Sequence, residues 1–139
     1  MPRTGALLSL SRDHHTALVL ARAARKAAES ADKIVCEEVL MRINAHWHQV
    51  MAAHFQSEEQ LLVRLKDLLD PQAVARIFSE HAMLQQLIVE PGMFELSERL
   101  NRLGELLAAH VRYEERVLFP QLQAALDNKT FAHYPMQEN

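Results

Sequence analysis

The sequence has little of what most non-helical architectures need. Three glycines and five prolines in 139 residues are few for a turn-rich sandwich. With hydrophobic residues at 49% of the chain, the composition favours helices. Cys36 is the single cysteine, so there is no disulfide framework and no cluster of thiolates. Lys and Arg number 15 against 18 Asp and Glu, a net charge of -3, and the basic residues form no stripe. Nucleic acid is therefore not an expected partner. No apolar run approaches the ~18 residues that span a bilayer, so a membrane is not expected either. The opening Met-Pro-Arg-Thr-Gly leads into a leucine-rich stretch that Ser, Arg and Asp break at once. That is not the pattern of a secretory signal, and a cytoplasmic protein is expected. The length suits one domain with a real core.

What the sequence does have is a phrase written twice. Ala53-His54-Phe55-Gln56-Ser57-Glu58-Glu59 returns as Ala109-His110-Val111-Arg112-Tyr113-Glu114-Glu115, both reading Ala-His-x-x-x-Glu-Glu. Four residues advance a helix by about 400°, so each histidine and the first glutamate after it share a face. That face continues through Ile43, Trp47, Val50, Leu61 and Leu65 in the first copy. In the second it continues through Leu103, Leu107, Leu118 and Leu122. Both pairs thus point into a core, where an ionised carboxylate needs a compensating cation.

The chain around them divides into four helical stretches. The first runs from about Leu7 to Ala28, with an alanine-rich stripe interrupted by His14. Glu29-Ser30-Ala31-Asp32 breaks it, and Ser30 or Asp32 suits an N-cap for a long second helix reaching about Leu69. Asp70-Pro71 opens the third helix, with proline at its first position and His81 among Val74, Ile77, Leu84 and Ile88. Glu90-Pro91-Gly92 ends it. The fourth runs from about Phe94 to Leu126, with a kink or break expected at Pro120, and Asp127-Asn128-Lys129-Thr130 closing it. Residues 7–126 then form an all-α, up-down-up-down antiparallel four-helix bundle, and 127–139 a tail.

Each helix carries one histidine on its buried stripe: His14, His54, His81 and His110. The second and fourth add Glu58 and Glu114. An acidic residue precedes both His14 and His81, so helices three and four repeat helices one and two. Four imidazoles and two carboxylates suit two first-row transition ions, each glutamate bridging them. Nitrogen and oxygen donors without thiolate favour iron or manganese over structural zinc, though zinc can occupy such a site.

Blander readings compete residue by residue. A lone histidine on an apolar face is more often a hydrogen-bonded core residue than a ligand; four of them, one per helix beside two carboxylates, outweigh that base rate. His15 is the alternative first ligand, facing Ser11 and Arg22. His46 and His48 read as a chance surface pair, Trp47 as core packing that could wall one end of the site, and Cys36 as a small packing residue. His133 has no placed partner. Tyr113 either hydrogen-bonds a bridging carboxylate or covers the bundle.

The strings Asp13-His14, His54-x-x-x-Glu58-Glu59, Glu80-His81 and His110-x-x-x-Glu114-Glu115-x-Val-Leu-Phe-Pro120 resemble the hemerythrin-like family, the HHE cation-binding domain. The resemblance spans about residues 7–126 and implies a hemerythrin-like bundle with a non-haem di-iron centre. By the same resemblance the four histidines ligate iron and Glu58 and Glu114 bridge. Glu59 and Glu115 would face outward or support the ligands from behind. Oxygen-carrying members have one more histidine a turn from the ligand on helix three. Here Ile77 and Gln85 stand four residues before and after His81. The resemblance is therefore to the six-ligand variety, linked to iron-centre repair, sensing or redox handling, more than to reversible oxygen carriage. The expected partners are oxygen, nitric oxide or peroxide. The competing readings are a redox enzyme reducing peroxide or nitric oxide, and a metal-stabilised interaction module. No feature of the sequence names a protein partner.

Overall fold

The computed structural model describes residues 5–90, 92 and 94–138, with Ala6 and residues 129–138 as backbone only. It is helical throughout, with no strand among the described residues. Helix α1 is Gly5–Ser30. Helix α2, Lys33–His46, passes through a π turn, Trp47–Met51, into α3, Ala52–Leu65, and ends in a 3-10 turn, Lys66–Leu68. Helix α4 is Pro71–Val89. Helix α5, Leu96–Tyr113, passes through a second π turn, Glu114–Leu118, into α6, Phe119–Glu138. The four rods form a helical bundle. No helix among the described residues is long and apolar enough to cross a membrane.

The helix ends follow local chemistry. Asp32 caps α2 by accepting from the backbone N–H of Ile34 and Val35 at 3.0 and 3.3 Å. Asp70 caps α4 by accepting from Gln72 N–H at 3.0 Å, with Pro71 at the first helical position, where a missing N–H costs nothing. The fourth rod differs from expectation in two ways. Pro120 does not break it, and a π turn lies just before the proline. There Phe119 N–H donates to Glu114 O, five residues back, and the wider turn absorbs the misfit of a proline ring against the preceding turn. Asp127-Asn128-Lys129-Thr130 does not close the helix either, whose backbone stays helical to Glu138. His133 lies outside the residues whose side chains are described.

Helix α1 packs most extensively on α5. Its alanines Ala17, Ala21, Ala24 and Ala27 are buried, and Gly104 of α5 completes the close approach. A Cβ at position 104 would stand 2.6 Å from Arg25 Cγ and 2.7 Å from the Ala21 carbonyl oxygen. The core has two apolar layers. One gathers Ile43, Trp47, Phe55, Leu84, Leu103 and Leu107 with the alanines of α1. The other gathers Leu7, Leu62, Ile77, Leu118, Phe119 and Leu122.

Candidate metal centre

Six polar side chains are buried in the core where these layers meet. His14, His54, Glu58, His81, His110 and Glu114 are between 0% and 7% exposed. Helical spacing brings each Ala-His-x-x-x-Glu pair together, with His54 Nε2 3.6 Å from Glu58 and His110 Nε2 3.3 Å from Glu114. Bundle packing supplies the rest, with His14 Nε2 2.9 Å from Glu114 Oε1 and His81 Nε2 2.9 Å from Glu58 Oε1. Donor atoms converge in two sets. His14 and His54 form one with Glu58 and Glu114, and His81 and His110 form the other with the same two glutamates. Within each set the atoms lie within 4.8 Å of one another, close enough for one ion.

Behind the histidines runs a closed ring of carboxylates. Asp13 of α1 receives His54 Nδ1 at 2.9 Å, and Glu59 of α3 receives His81 Nδ1 at 2.7 Å. Glu80 of α4 receives His110 Nδ1 at 2.8 Å, and Glu115 of the second π turn receives His14 Nδ1 at 2.6 Å. Each carboxylate is the chain neighbour of one buried donor and orients a histidine on the next rod, so the ring passes once around the bundle. An ionised carboxylate only accepts, so Nδ1 must carry the proton and Nε2 is left to face inward. This outer hydrogen bond is how proteins fix the ring of a metal-binding histidine.

The inner faces are short of protons or cations. Both oxygens of Glu58, Oε2 of Glu114, and Nε2 of His81 and His110 are buried without a hydrogen bond. A lone pair on Nε2 facing a carboxylate oxygen at 2.9 Å is repulsive unless a proton or a metal ion stands between them. Without metal, protons take that role. Burial raises the Glu58 pKa, and the neighbouring Glu114 charge raises it further. Burial acts on Glu114 the same way. A proton held on the adjacent Glu58, together with the imidazoles of His110 and His14, nevertheless keeps Glu114 well below the usual carboxylate range. At His110 burial is outweighed by Glu114 and Glu80, which push its pKa up to about 10. His54 is raised as Glu58 and Asp13 overcome its burial. Glu80 is lowered, since His110 and Arg76 outweigh its burial. The donor set, its burial and its unpaired atoms all fit a metal ion.

All six predicted site residues meet here, whereas His15 is exposed on α1. Ile77 is a fully buried member of one apolar layer and Gln85 is exposed, so neither adds a donor. Trp47 stacks edge-on against Phe55, whose ring lies flat on His81 with centroids 3.8 Å apart. Tyr113 carries the Arg76 guanidinium on its ring face at 3.7 Å, and Arg76 in turn holds Glu80 at 3.0 Å. The bracing role common to Asp13, Glu59, Glu80 and Glu115 was only partly visible in sequence, as acidic residues beside the candidate donors.

The reading of His46 and His48 as a surface pair needs correction. His48 is exposed, but His46 is half-buried and lines a small cavity that reaches His14, His54, His110 and Glu114. Burial lowers the His46 pKa, with Asp13 opposing and His54 reinforcing that shift. The chain matches no protein-family model, no curated protein and no solved structure.

Proposed function

We propose that this chain is a non-haem di-iron binding protein of the hemerythrin-like type, an up-down-up-down antiparallel bundle that handles oxygen, nitric oxide or peroxide. One observation carries the reading: two donor sets of two histidines each share Glu58 and Glu114, and five of the inward atoms are buried without a hydrogen bond. His14 and His54 would hold one ion, His81 and His110 the other, and the two glutamates would bridge. Iron bound there supplies one-electron redox change and open positions for a small molecule, and manganese or zinc can substitute on the same donors. The protein's own contribution is to orient the imidazoles through Asp13, Glu59, Glu80 and Glu115, and to surround the ions with apolar layers. The cavity beside the centre has room for little more than one water-sized molecule, which suits diatomics and peroxide and not an organic substrate.

Anaerobic loading with ferrous iron, followed by elemental analysis, tests this. About two iron atoms per chain are expected from the two donor sets. A plateau at one metal, or at none, defeats the dinuclear reading. Oxidation of the loaded protein should add near-ultraviolet absorption that the metal-free bundle lacks.

A further inference from the structure

The cavity at the His14–His54 end of the centre has mostly apolar walls, among them Ala17, Val50, Met51, Leu107 and Val111. Its half-buried members are Asp13, His46 and Val50, which marks the side where it meets solvent. Of its polar groups, Asp13 is engaged with His54 at 2.9 Å, and His14, His54, His110 and Glu114 belong to the centre itself. His46 is different. No hydrogen bond of its side chain is found among the described residues, and it is no part of either donor set.

Its position there follows from the π turn between it and the centre. In a regular α-helix the eight residues from His46 to His54 advance by about 800°, leaving the two side chains about 80° apart. Within the turn Ala52 N–H donates to Trp47 O, five residues back, so one residue is added without its share of rotation. Eight residues then behave like seven, about two full turns, and both imidazoles come to one face. A polar group placed in an apolar cavity is costly unless it finds a partner.

We propose that His46 is the hydrogen-bond donor that selects what occupies this cavity, favouring small molecules with an accepting end, peroxide or an azide-like anion, over weak acceptors such as nitric oxide. An imidazole carries at least one N–H in either protonation state, so donation does not depend on its charge. The inference rests on the di-iron reading and adds to it a specificity-determining residue outside the metal donors.

Azide is the probe, titrated into oxidised, iron-loaded wild type, His46→Leu and His46→Gln, with iron content measured on every sample. One hydrogen bond in a small cavity corresponds to an affinity loss of about 5- to 10-fold for His46→Leu. His46→Gln, which still donates, should stay within about twofold of wild type, and the azide infrared stretch should shift only in the leucine variant. Nitric oxide binding to the reduced proteins should differ by less than about twofold, since it accepts hydrogen bonds weakly. Unchanged azide affinity in fully loaded His46→Leu overturns the role of His46 and leaves the di-iron reading intact. So does an equal loss for azide and nitric oxide, which marks a change of cavity shape alone. A wild type that takes up no iron overturns both readings together.

Discussion

The two copies of Ala-His-x-x-x-Glu-Glu have the same spacing, yet their helices are wound differently around it. In the first copy the π turn, Trp47–Met51, comes before His54; in the second, Glu114–Leu118, it starts at the glutamate itself. Each displacement turns one side chain inward whose counterpart stays out. His46 lines the cavity, while the matching Arg102 lies in solvent, paired with Glu98 at 2.9 Å. Phe119 is fully buried and stacks on His14, while the matching Val63 is 57% exposed. A repeated motif therefore builds the symmetric part of the site, and where the extra backbone residue sits decides what surrounds each end.

The sharpest attack on that symmetry removes the shared glutamates. Glu58→Ala and Glu114→Ala should each abolish most metal binding, because each contributes to both donor sets. Two half-sites working independently would instead leave one ion bound in each variant, and elemental analysis would show it.

Next in size is the pair that the π turn made unequal. Phe119→Ala removes a fully buried ring and should cost about 3–5 kcal/mol, whereas Val63→Ala on the exposed face should stay within about 0.5 kcal/mol. Urea unfolding of both variants measures this. Comparable losses would mean that the copies pack alike despite their different turns.

The carboxylate ring comes third. Glu59→Gln and Glu115→Gln should each lower metal affinity about 10- to 100-fold while iron at saturation still reaches full occupancy. Asp13→Asn and Glu80→Gln should do likewise, as each braces one histidine. If Glu115→Gln lost metal as completely as Glu114→Ala, the division into inner donors and outer braces would be wrong on the fourth rod.

The legible part of this architecture is the part that obeys regular helical periodicity. Loop signals such as Asp70-Pro71 and the alanine stripe of α1 located three of the four rods well, and the i,i+4 spacing found both His–Glu pairs. Two kinds of feature lay beyond that reading. The outer ring depends on which rods are neighbours, since each brace acts on a histidine of another helix, and one-dimensional spacing does not carry that. His46 was misplaced because a uniform rotation per residue puts it about 80° from His54. No residue in Trp47–Met51 announces a π turn. In the second copy Pro120 does give a signal, but one that suggests a break and not a wider turn.

The smallest expected effect concerns protons, where the copies also differ. In the metal-free protein His110 is raised from 6.5 to about 10, held by Glu114 and by Glu80 against the cost of burial. A group raised on folding contributes stability that is full below its unfolded value and is lost as pH climbs through its folded one. His110 therefore stabilises the metal-free bundle fully below about pH 6.5, and that contribution declines toward pH 10. Glu58, raised by burial and by Glu114, acts with the same sign, since its proton is lost as pH rises through its folded value. Glu114 and Glu80 are lowered and act with the opposite sign, but their contributions are lost only as pH falls through the acid range. Between pH 7 and 8 the metal-free protein should thus lose on the order of 1 kcal/mol, the scale of one proton over one pH unit. A bound metal ion would take the place of those protons, so the metal-loaded protein should not share the decline. Urea unfolding of chelator-treated wild type at the two pH values measures the slope, with Glu114→Gln removing the charge that holds His110 protonated. A flat wild-type profile, or an equal slope in Glu114→Gln, would show that the second copy does not store its proton in this way.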